Sequence, residues 1–484
     1  MRIQKNNLID QIKETFKESN DFSYKTLKNR EQSIDILFFS SLVSVEKLTE
    51  IIIPLLTKLE GPLFHDFLNN IKNNQTKDIQ IAVEMLLNGH VGVLTAEKDE
   101  IILINMLDPI QRSIEEPKSE LIVRGSHAGF VERLATNIQI IRSLINNRHL
   151  VIQFLELGSK TKTKTVIVYR DDIVNQELLT EVKRRLSFMN IETDIIINPG
   201  FIEEFIEDDP FTVFPQILYT ERPDRVGYNI MDGRIAIMTE GSPAALIVPA
   251  TFFSFYQSPD DYSSRWTTAT FIRLLRMASF VIAITFPSLY IGVVSFHLEV
   301  LPNELIIPMQ NSVEDIPYPP IIEAFIMELT IELIREAGIR LPTPISQTIG
   351  IVGGLVIGDA VVKAGLISNS MIVVVAITAI SSFVVPSNEL SAAVRLLRFP
   401  LMLIAASFGF VGLVFGFILI LINLCKQESF GVPYFYPVAP LRINGLKDSI
   451  VRLPLWFMKK RPQDTMPKRQ KNLNGVRGWD KHEQ

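Results

Sequence analysis

The sequence predicts a two-part membrane protein: an N-terminal soluble α/β region of two small subdomains, followed by an all-α transmembrane region of about four helices. Three observations predict it. Hydrophobicity is uneven along the 484 residues: the chain reads as soluble up to Arg276 and then enters long uncharged runs. Within the soluble half, short β-branched runs alternate with segments of helical spacing. Mean hydropathy is +0.23 and only 21% of residues are charged, a balance that points to a membrane.

Residues 1–30 are polar and carry no apolar stretch, so they read as a leader to the first subdomain and not as a signal peptide. Subdomain 1 covers 31–108. It starts with a strand at Ile34–Phe39, continues through helices near 45–56 and Ile79–Leu87, and ends in a hairpin of Val91–Leu94 with Ile101–Met106. Subdomain 2, with its linker, covers 109–272. Phe130, Leu134, Ile138 and Ile141 share one helical face. Leu150–Leu155 and Thr165–Tyr169 read as strands, Val174–Leu186 as a helix, Thr193–Ile197 as a further strand, and Arg234–Met238 with Ala245–Val248 as a hairpin. The run 242–255 is short and holds Pro243 and Pro249, so it reads as strand and interfacial loop, not as a span.

The transmembrane region covers 273–425. Uncharged runs of 22, 18, 25 and 27 residues begin at Met277, Leu341, Ala364 and Phe399. A crossing needs roughly 20 apolar residues, so the spans are placed at about 277–296, 345–366, 370–386 and 400–424. The tail, 426–484, carries Lys459, Lys460, Arg461, Lys468, Arg469, Lys471 and Arg477, which places it in the cytoplasm. An even number of spans puts the N-terminus there too. The stretch Glu299–Asp315 has four acids and no Lys or Arg, as expected outside.

Several classes of function are excluded. A net charge of −5 gives no general attraction to nucleic acid. One cysteine, Cys425, leaves no disulfide framework or Cys-rich metal site. No metal, cofactor or catalytic constellation is expected, so the chain is not read as an enzyme. Gly353, Gly354 and Gly358 lack the lysine-hydroxyl pair of a phosphate loop, and the serine of GSHAG (125–129) falls one place early for a hydrolase elbow. The paired acids Asp171-Asp172, Asp208-Asp209 and Asp260-Asp261 read as loop and cap residues.

Two segments carry charge into apolar surroundings. Within 321–336, Ile322, Phe325, Ile326, Leu329 and Leu333 share a face, with Glu328, Glu332, Arg335 and Glu336 elsewhere. This is either an interfacial helix or a source of acids, Glu328 and Glu332, for a pore vestibule. In 345–366, Gly350, Gly353, Gly354 and Ala364 lie on a small-residue side suited to helix packing. Thr348, Val352, Leu355, Asp359 and Lys363 lie opposite. Charges in a span usually face water or a partner, so this side is expected at a cavity, pore or subunit contact. The competing reading is a simple i,i+4 pair of Asp359 with Lys363 at the membrane edge.

Many stretches, in order, resemble the A subunits of GerA-type spore germinant receptors. They include EEP (115–117), RG with FVE (124–132), FPQ (214–216), TERPD (220–224), QSPDDY (257–262), SFH (295–297), PPIIEAFIMELTIELIREAGIRLP (319–342), QTIGIVGGLVIGDAVV (347–362) and FGVPY (430–434). The resemblance covers nearly all of the chain beyond the first ~100 residues. It implies a multi-pass subunit in the inner membrane of the dormant spore. It also implies a homo-oligomer, expected to be a pentamer, that forms a nutrient-gated cation channel. The expected partners are a transporter-like B subunit that holds the nutrient and a lipoprotein C subunit, with lipid around the spans. On this view Leu355 forms the apolar neck, Asp359 gathers cations, and Glu115, Glu116, Pro117 and Arg124 mark a junction between subdomains. A secondary-transporter subunit and a non-conducting scaffold are the alternatives.

Overall fold

The computed structural model describes residues 2–472 apart from 29–32, 59–73, 96–99, 109–115, 118–119, 121, 315, 343–344, 346–353 and 355–357. The chain divides into two compact units. The first holds 1–207, 217–250 and 458–484, and the second holds 208–216 and 251–457.

The first unit contains two five-stranded sheets. The elements of the first are α1 (Arg2–Thr15), β1 (Phe22–Lys28), β2 (Ser33–Phe39), α2 (residues 45–58, with a π-turn over Leu48–Ile52), β3 (Asn74–Thr76), α3 (Ile79–Leu87), β4 (His90–Thr95) and β5 (Ile101–Asn105). The second is built from α4 (Leu134–Leu144), β6 (Leu150–Leu157), β7 (Thr163–Arg170), α5 (Gln176–Glu192), α6 (Pro199–Ile206), β8 (Leu218–Thr220), α7 (Pro223–Met231), β9 (Ile235–Thr239) and β10 (Ala245–Val248). The strand orders are β1-β2-β4-β5-β3 and β6-β7-β9-β10-β8. These are the same order, each sheet is antiparallel throughout, and helices fall at matching points. The soluble half is one topology used twice.

Strand β2 shows how its sequence fits this frame. Ile34, Ile36 and Phe38 point to one face, where Leu48 and Leu56 of α2 cover them. Leu37 and Phe39 point to the other, against Ile12 and Phe16 of α1 and Ala82 and Leu86 of α3. Both faces are buried, so the strand reads as a continuous apolar run. Asp78 caps α3 by accepting from the Gln80 amide at 2.8 Å, and Asn175 caps α5 in the same way.

The structure corrects four expectations here. Residues 1–30 are not only a leader: they supply α1 and the edge strand β1. The helix near 130–145 begins at Leu134, after the extended segment at Phe130. The stretch 193–197 is no strand. It follows α5 as bends whose Asp194 and Ile196 carbonyls accept from Lys160, Thr161 and Thr163. Finally, 458–472 is not a loose tail. The Arg461 side chain is buried and donates to the Met231 carbonyl (2.8 Å) and to Arg469 and Lys471 carbonyls. Arg234 pairs with Asp464 at 2.8 Å, and the Lys468 amide donates to the Ile173 carbonyl. Basic residues of the expected tail are thus partly used to bind the segment to the second sheet's loops.

The second unit is helical. It holds α8 (Asp260–Ser263), α9 (Trp266–Phe296), α10 (Asn303–Glu314), α11 (Pro320–Arg340), α12 (Gly358–Lys363), α13 (Asn369–Phe383), α14 (Asn388–Lys426) and α15 (Ile443–Ser449). By length and composition, α9 and α14 are apolar enough to cross a membrane, and α13 is a shorter apolar helix. Aromatic rings form an anchor around Phe252, which meets Phe280, Phe435, Phe214 and Tyr434 at centroid distances of 5.3–6.2 Å. The run 242–255 therefore divides into strand β10 and a tight 3-10 turn.

The expected single span at about 400–424 does not form as one straight helix. Gly409 adopts φ 57°, ψ −139°, and α14 reverses there. A Cβ on Gly416 would lie 2.9 Å from Leu401, and one on Gly412 would collide with the Ile404 carbonyl. A straight helix would hold residues 401 and 416 about 22 Å apart. The limbs 388–408 and 410–426 therefore lie antiparallel, with glycines letting them approach. We predict that Leu401→Cys with Gly416→Cys, in a Cys425→Ser background, cross-links within one chain through a short thiol reagent. The pair Leu401→Cys with Leu424→Cys should not. Absence of the first cross-link would mean that the run is straight.

Candidate functional site

Among the described residues of the helical unit, three groups of charged side chains bear on function. The first lies between α11, α13 and α14. Glu328, Glu332 and Arg335 recur at helical spacing on α11 and so share one face. Arg395 and Arg398 project from α14. Arg398 and Glu328 are both 0% exposed and form an ion pair at 2.8 Å. Arg398 also reaches Glu332 at 2.8 Å, and Glu332 is shared with Arg335 (3.1 Å) and Arg395 (3.2 Å). Arg335 donates to Ser382 Oγ on α13 and packs 4.5 Å over the Phe383 ring. Three guanidiniums and two carboxylates thus tie three helices together. α11 packs lengthwise on α13, from Glu323 beside Ser368 to Arg335 beside Ser382. In this structure Glu328 faces Arg398 and not solvent, while Glu332 keeps partial exposure.

The second group is Asp359 and Lys363 on α12. They pair at 2.6 Å with side chains 60% and 74% exposed. Gly354 and Ala364 are also exposed, and a Cβ on Gly354 would meet nothing within 4 Å among the described residues. Thr348, Gly350, Val352, Gly353 and Leu355 lie outside the described residues.

The third group anchors the start of α9. Asp261, 2% exposed, accepts from Arg273 Nε at 2.7 Å and Arg276 Nη1 at 2.9 Å. Asp448 accepts from Tyr262 Oη at 3.0 Å and pairs with Arg273. Asp261, read from sequence as a loop acid, is the buried counter-ion of two arginines. Arg273 and Arg276 are spaced by three on one helix face, and this was the signal available for it.

In the first unit, Glu116 Oε1 lies 2.5 Å from His127 Nδ1, and both side chains are about half exposed. Pro117 is buried, Arg124 is exposed, and Glu115 lies outside the described residues. The two sheets are also joined through Arg142. Arg142 on α4 grips Asp21 through Nε (2.9 Å) and Nη2 (2.7 Å), with side chains 1% and 0% exposed. Ser19 and Ser41 complete the set, and the Asn20 amide donates to the Ile152 carbonyl on the edge of β6. Sequence reasoning missed this junction, since neither residue stands in a motif. His149, Asp171 and Asp172 lie close enough to hold an ion. However, Arg170 already takes both Asp172 oxygens, at 2.9 and 2.7 Å, and His149 bonds Asp171.

The chain thus combines a twice-used α/β topology with a helical unit whose helices are bound through buried ion pairs. Comparison with known proteins gives its family. The model of the Bacillus/Clostridium GerA spore germination protein matches residues 10–464. Spore germination protein B1 of Bacillus subtilis (strain 168) is 38% identical over 478 residues, 95% of this chain and 97% of that one. Spore germination protein KA of the same organism is 41% identical over 378 residues, 78% of this chain and 69% of that one. GerQA of Bacillus cereus is 35% identical over 461 residues, covering 94% and 91%. Among solved structures, the N-terminal domain of the A subunit of the Bacillus megaterium spore germinant receptor GerK3 matches with TM-score 0.37 and 23% identity, covering 50% of this chain and 94% of that one. The chain belongs to the GerA family of spore germination proteins.

Proposed function

We propose that this chain is the A subunit of a nutrient-responsive germinant receptor in the inner spore membrane. Several copies, five in the expected assembly, close a ring and form a ligand-gated channel that releases monovalent cations and starts germination. A transporter-like B subunit holds the nutrient, and a lipoprotein C subunit completes the complex. The observation that carries this reading is the Asp359–Lys363 pair. It lies on an apolar stretch of the helical unit, yet both side chains stay more than half exposed among the described residues. Charge at such a position suits a water-filled path or a neighbouring copy.

The chain path supports the topology. It leaves the first unit at Ala250 and returns to it at Met458. Helices inserted between two parts of one folded unit cross a membrane an even number of times, which keeps both termini on one side. The basic residues of the final segment favour the cytoplasmic side. α11 and α13 run parallel, from Glu323 beside Ser368 to Arg335 beside Ser382.

Potassium release from spores tests the assignment. Asp359→Asn should slow nutrient-triggered release about tenfold, the low end of what a ring of charge adds to local ion concentration. Lys363→Gln should quicken it, and Leu355→Ala should leak without nutrient because an apolar neck closes by dewetting. Equal, modest losses for Asp359→Asn and Lys363→Gln would reduce the pair to an intrahelical contact.

A further inference from the structure

Four described acids are exposed by 2% or less: Asp21, Asp261, Glu323 and Glu328. Three of them hold an arginine: Asp21 pairs with Arg142, Asp261 with Arg273 and Arg276, and Glu328 with Arg398. Glu323, 0% exposed, has no basic partner among the described residues. Its Oε2 accepts the Ser368 amide at 2.9 Å, and its Oε1 has no hydrogen-bond partner among the described residues. An uncompensated carboxylate in an apolar layer is costly, and something must balance it.

Hydroxyls gather beside it. Tyr290 Oη lies 3.2 Å from Ser368 Oγ and 2.9 Å from Ser370 Oγ. Ser370 Oγ lies 3.4 Å from Ser368 Oγ and 3.2 Å from Ser312 Oγ. The carboxylate is tied to this group through Ser368, whose amide it accepts at 2.9 Å and whose Oγ belongs to the cluster. Four separate segments supply these oxygens: α9, α10, α11 and the start of α13. Neutral oxygens around a single carboxylate are hard ligands with a total charge of −1. That charge balances a monovalent cation. A divalent ion would normally call for more carboxylates or retained water. The N-termini of α11 and α13 also favour negative charge at Glu323, but they do not account for the hydroxyls.

We propose that Glu323, with Tyr290, Ser312, Ser368 and Ser370, forms an occluded monovalent-cation site that locks α10 and α13 to α9 and α11. The close oxygen spacing suits sodium better than potassium. The site shares no residue with the Asp359–Lys363 pair, and its test does not depend on channel activity.

The test is the thermal unfolding of the full-length chain in detergent, in sodium, potassium or N-methylglucamine chloride at equal ionic strength. Sodium should raise Tm by about 2–4 °C, saturating with concentration, as a ligand specific to the folded state does. Glu323→Gln keeps an acceptor for the Ser368 amide and should lose that increment. Ser370→Ala should need roughly tenfold more sodium for half the effect, the cost of about one lost contact. Asp359→Asn should keep the full response. Equal Tm in all three salts would overturn the site in favour of a protonated or dipole-balanced Glu323. An undiminished sodium increment in Glu323→Gln would overturn it as well. If Glu323→Gln does not accumulate, binding of radioactive sodium to wild type and Ser370→Ala decides. Saturable binding weakened in the variant supports the site, and no saturable binding overturns it.

Discussion

Arg398→Ala is expected to destabilise the helical unit by ~3–5 kcal/mol, the usual cost of breaking a buried ion pair from one side. The change strips Glu328 of the arginine 2.8 Å away while leaving it 0% exposed. Glu332 loses one of three arginines but keeps Arg335 and Arg395, so the damage centres on Glu328. The full-length variant should accumulate poorly in membranes and unfold at a clearly lower Tm. The informative partner is the double variant Glu328→Leu with Arg398→Leu. Replacing both charges by apolar groups of similar volume is often neutral or stabilising, so Tm should return most of the way. A double variant as unstable as the single would mean that the pair contributes through shape and not through charge compensation. If the double variant is stable but germinates without nutrient, or not at all, the network also sets the functional state.

Arg142→Ala is expected to have the next largest effect. Its guanidinium makes two bonds to Asp21, one to Ser19 Oγ (2.8 Å) and one to the Leu150 carbonyl (3.2 Å), and sits 4.6 Å from the Phe39 ring centre. Truncation leaves a buried carboxylate served only by hydroxyls, at a cost of ~3 kcal/mol or more. Because these contacts join the first sheet to the second, the variant should separate the two before either unfolds. Limited proteolysis should then cut within 109–133 faster than in the wild type, with a second, lower transition in thermal melts. Arg142→Lys keeps the charge but loses the planar two-point grip, so it should recover only part of the loss. A single unshifted transition would show that other contacts carry the junction.

Periodicity made most elements of the soluble half readable. Ile79–Leu87 and the strands β2, β4, β5, β7, β9 and β10 follow from local apolar spacing, because each has a face or two that must be buried. The missed elements lack that signal. α1 is a polar helix, β3 and β8 are three residues long, and β1 is an edge strand with no buried residue. The repetition of the fold was invisible for a different reason. It resides in strand order, and many residue choices satisfy the same order.

From the sequence alone came the division into a soluble α/β half and an apolar helical half, the family resemblance, and the segment carrying Asp359. Each rests on composition or on patterns within a few turns of chain. Only the tertiary structure decided which charges are compensated. Glu323, Glu328 and Glu332 share one helix and look alike in sequence. Yet Glu328 is paired, Glu332 is shared by three arginines, and Glu323 has none among the described residues. The reversal at Gly409 was likewise out of reach, because a glycine in an apolar run is compatible with a straight helix. Only the close approach of Gly412 and Gly416 to the preceding limb fixes the turn. The physical reason is the same in both cases. Desolvation and close packing depend on partners tens of residues away, and local spacing carries no record of them.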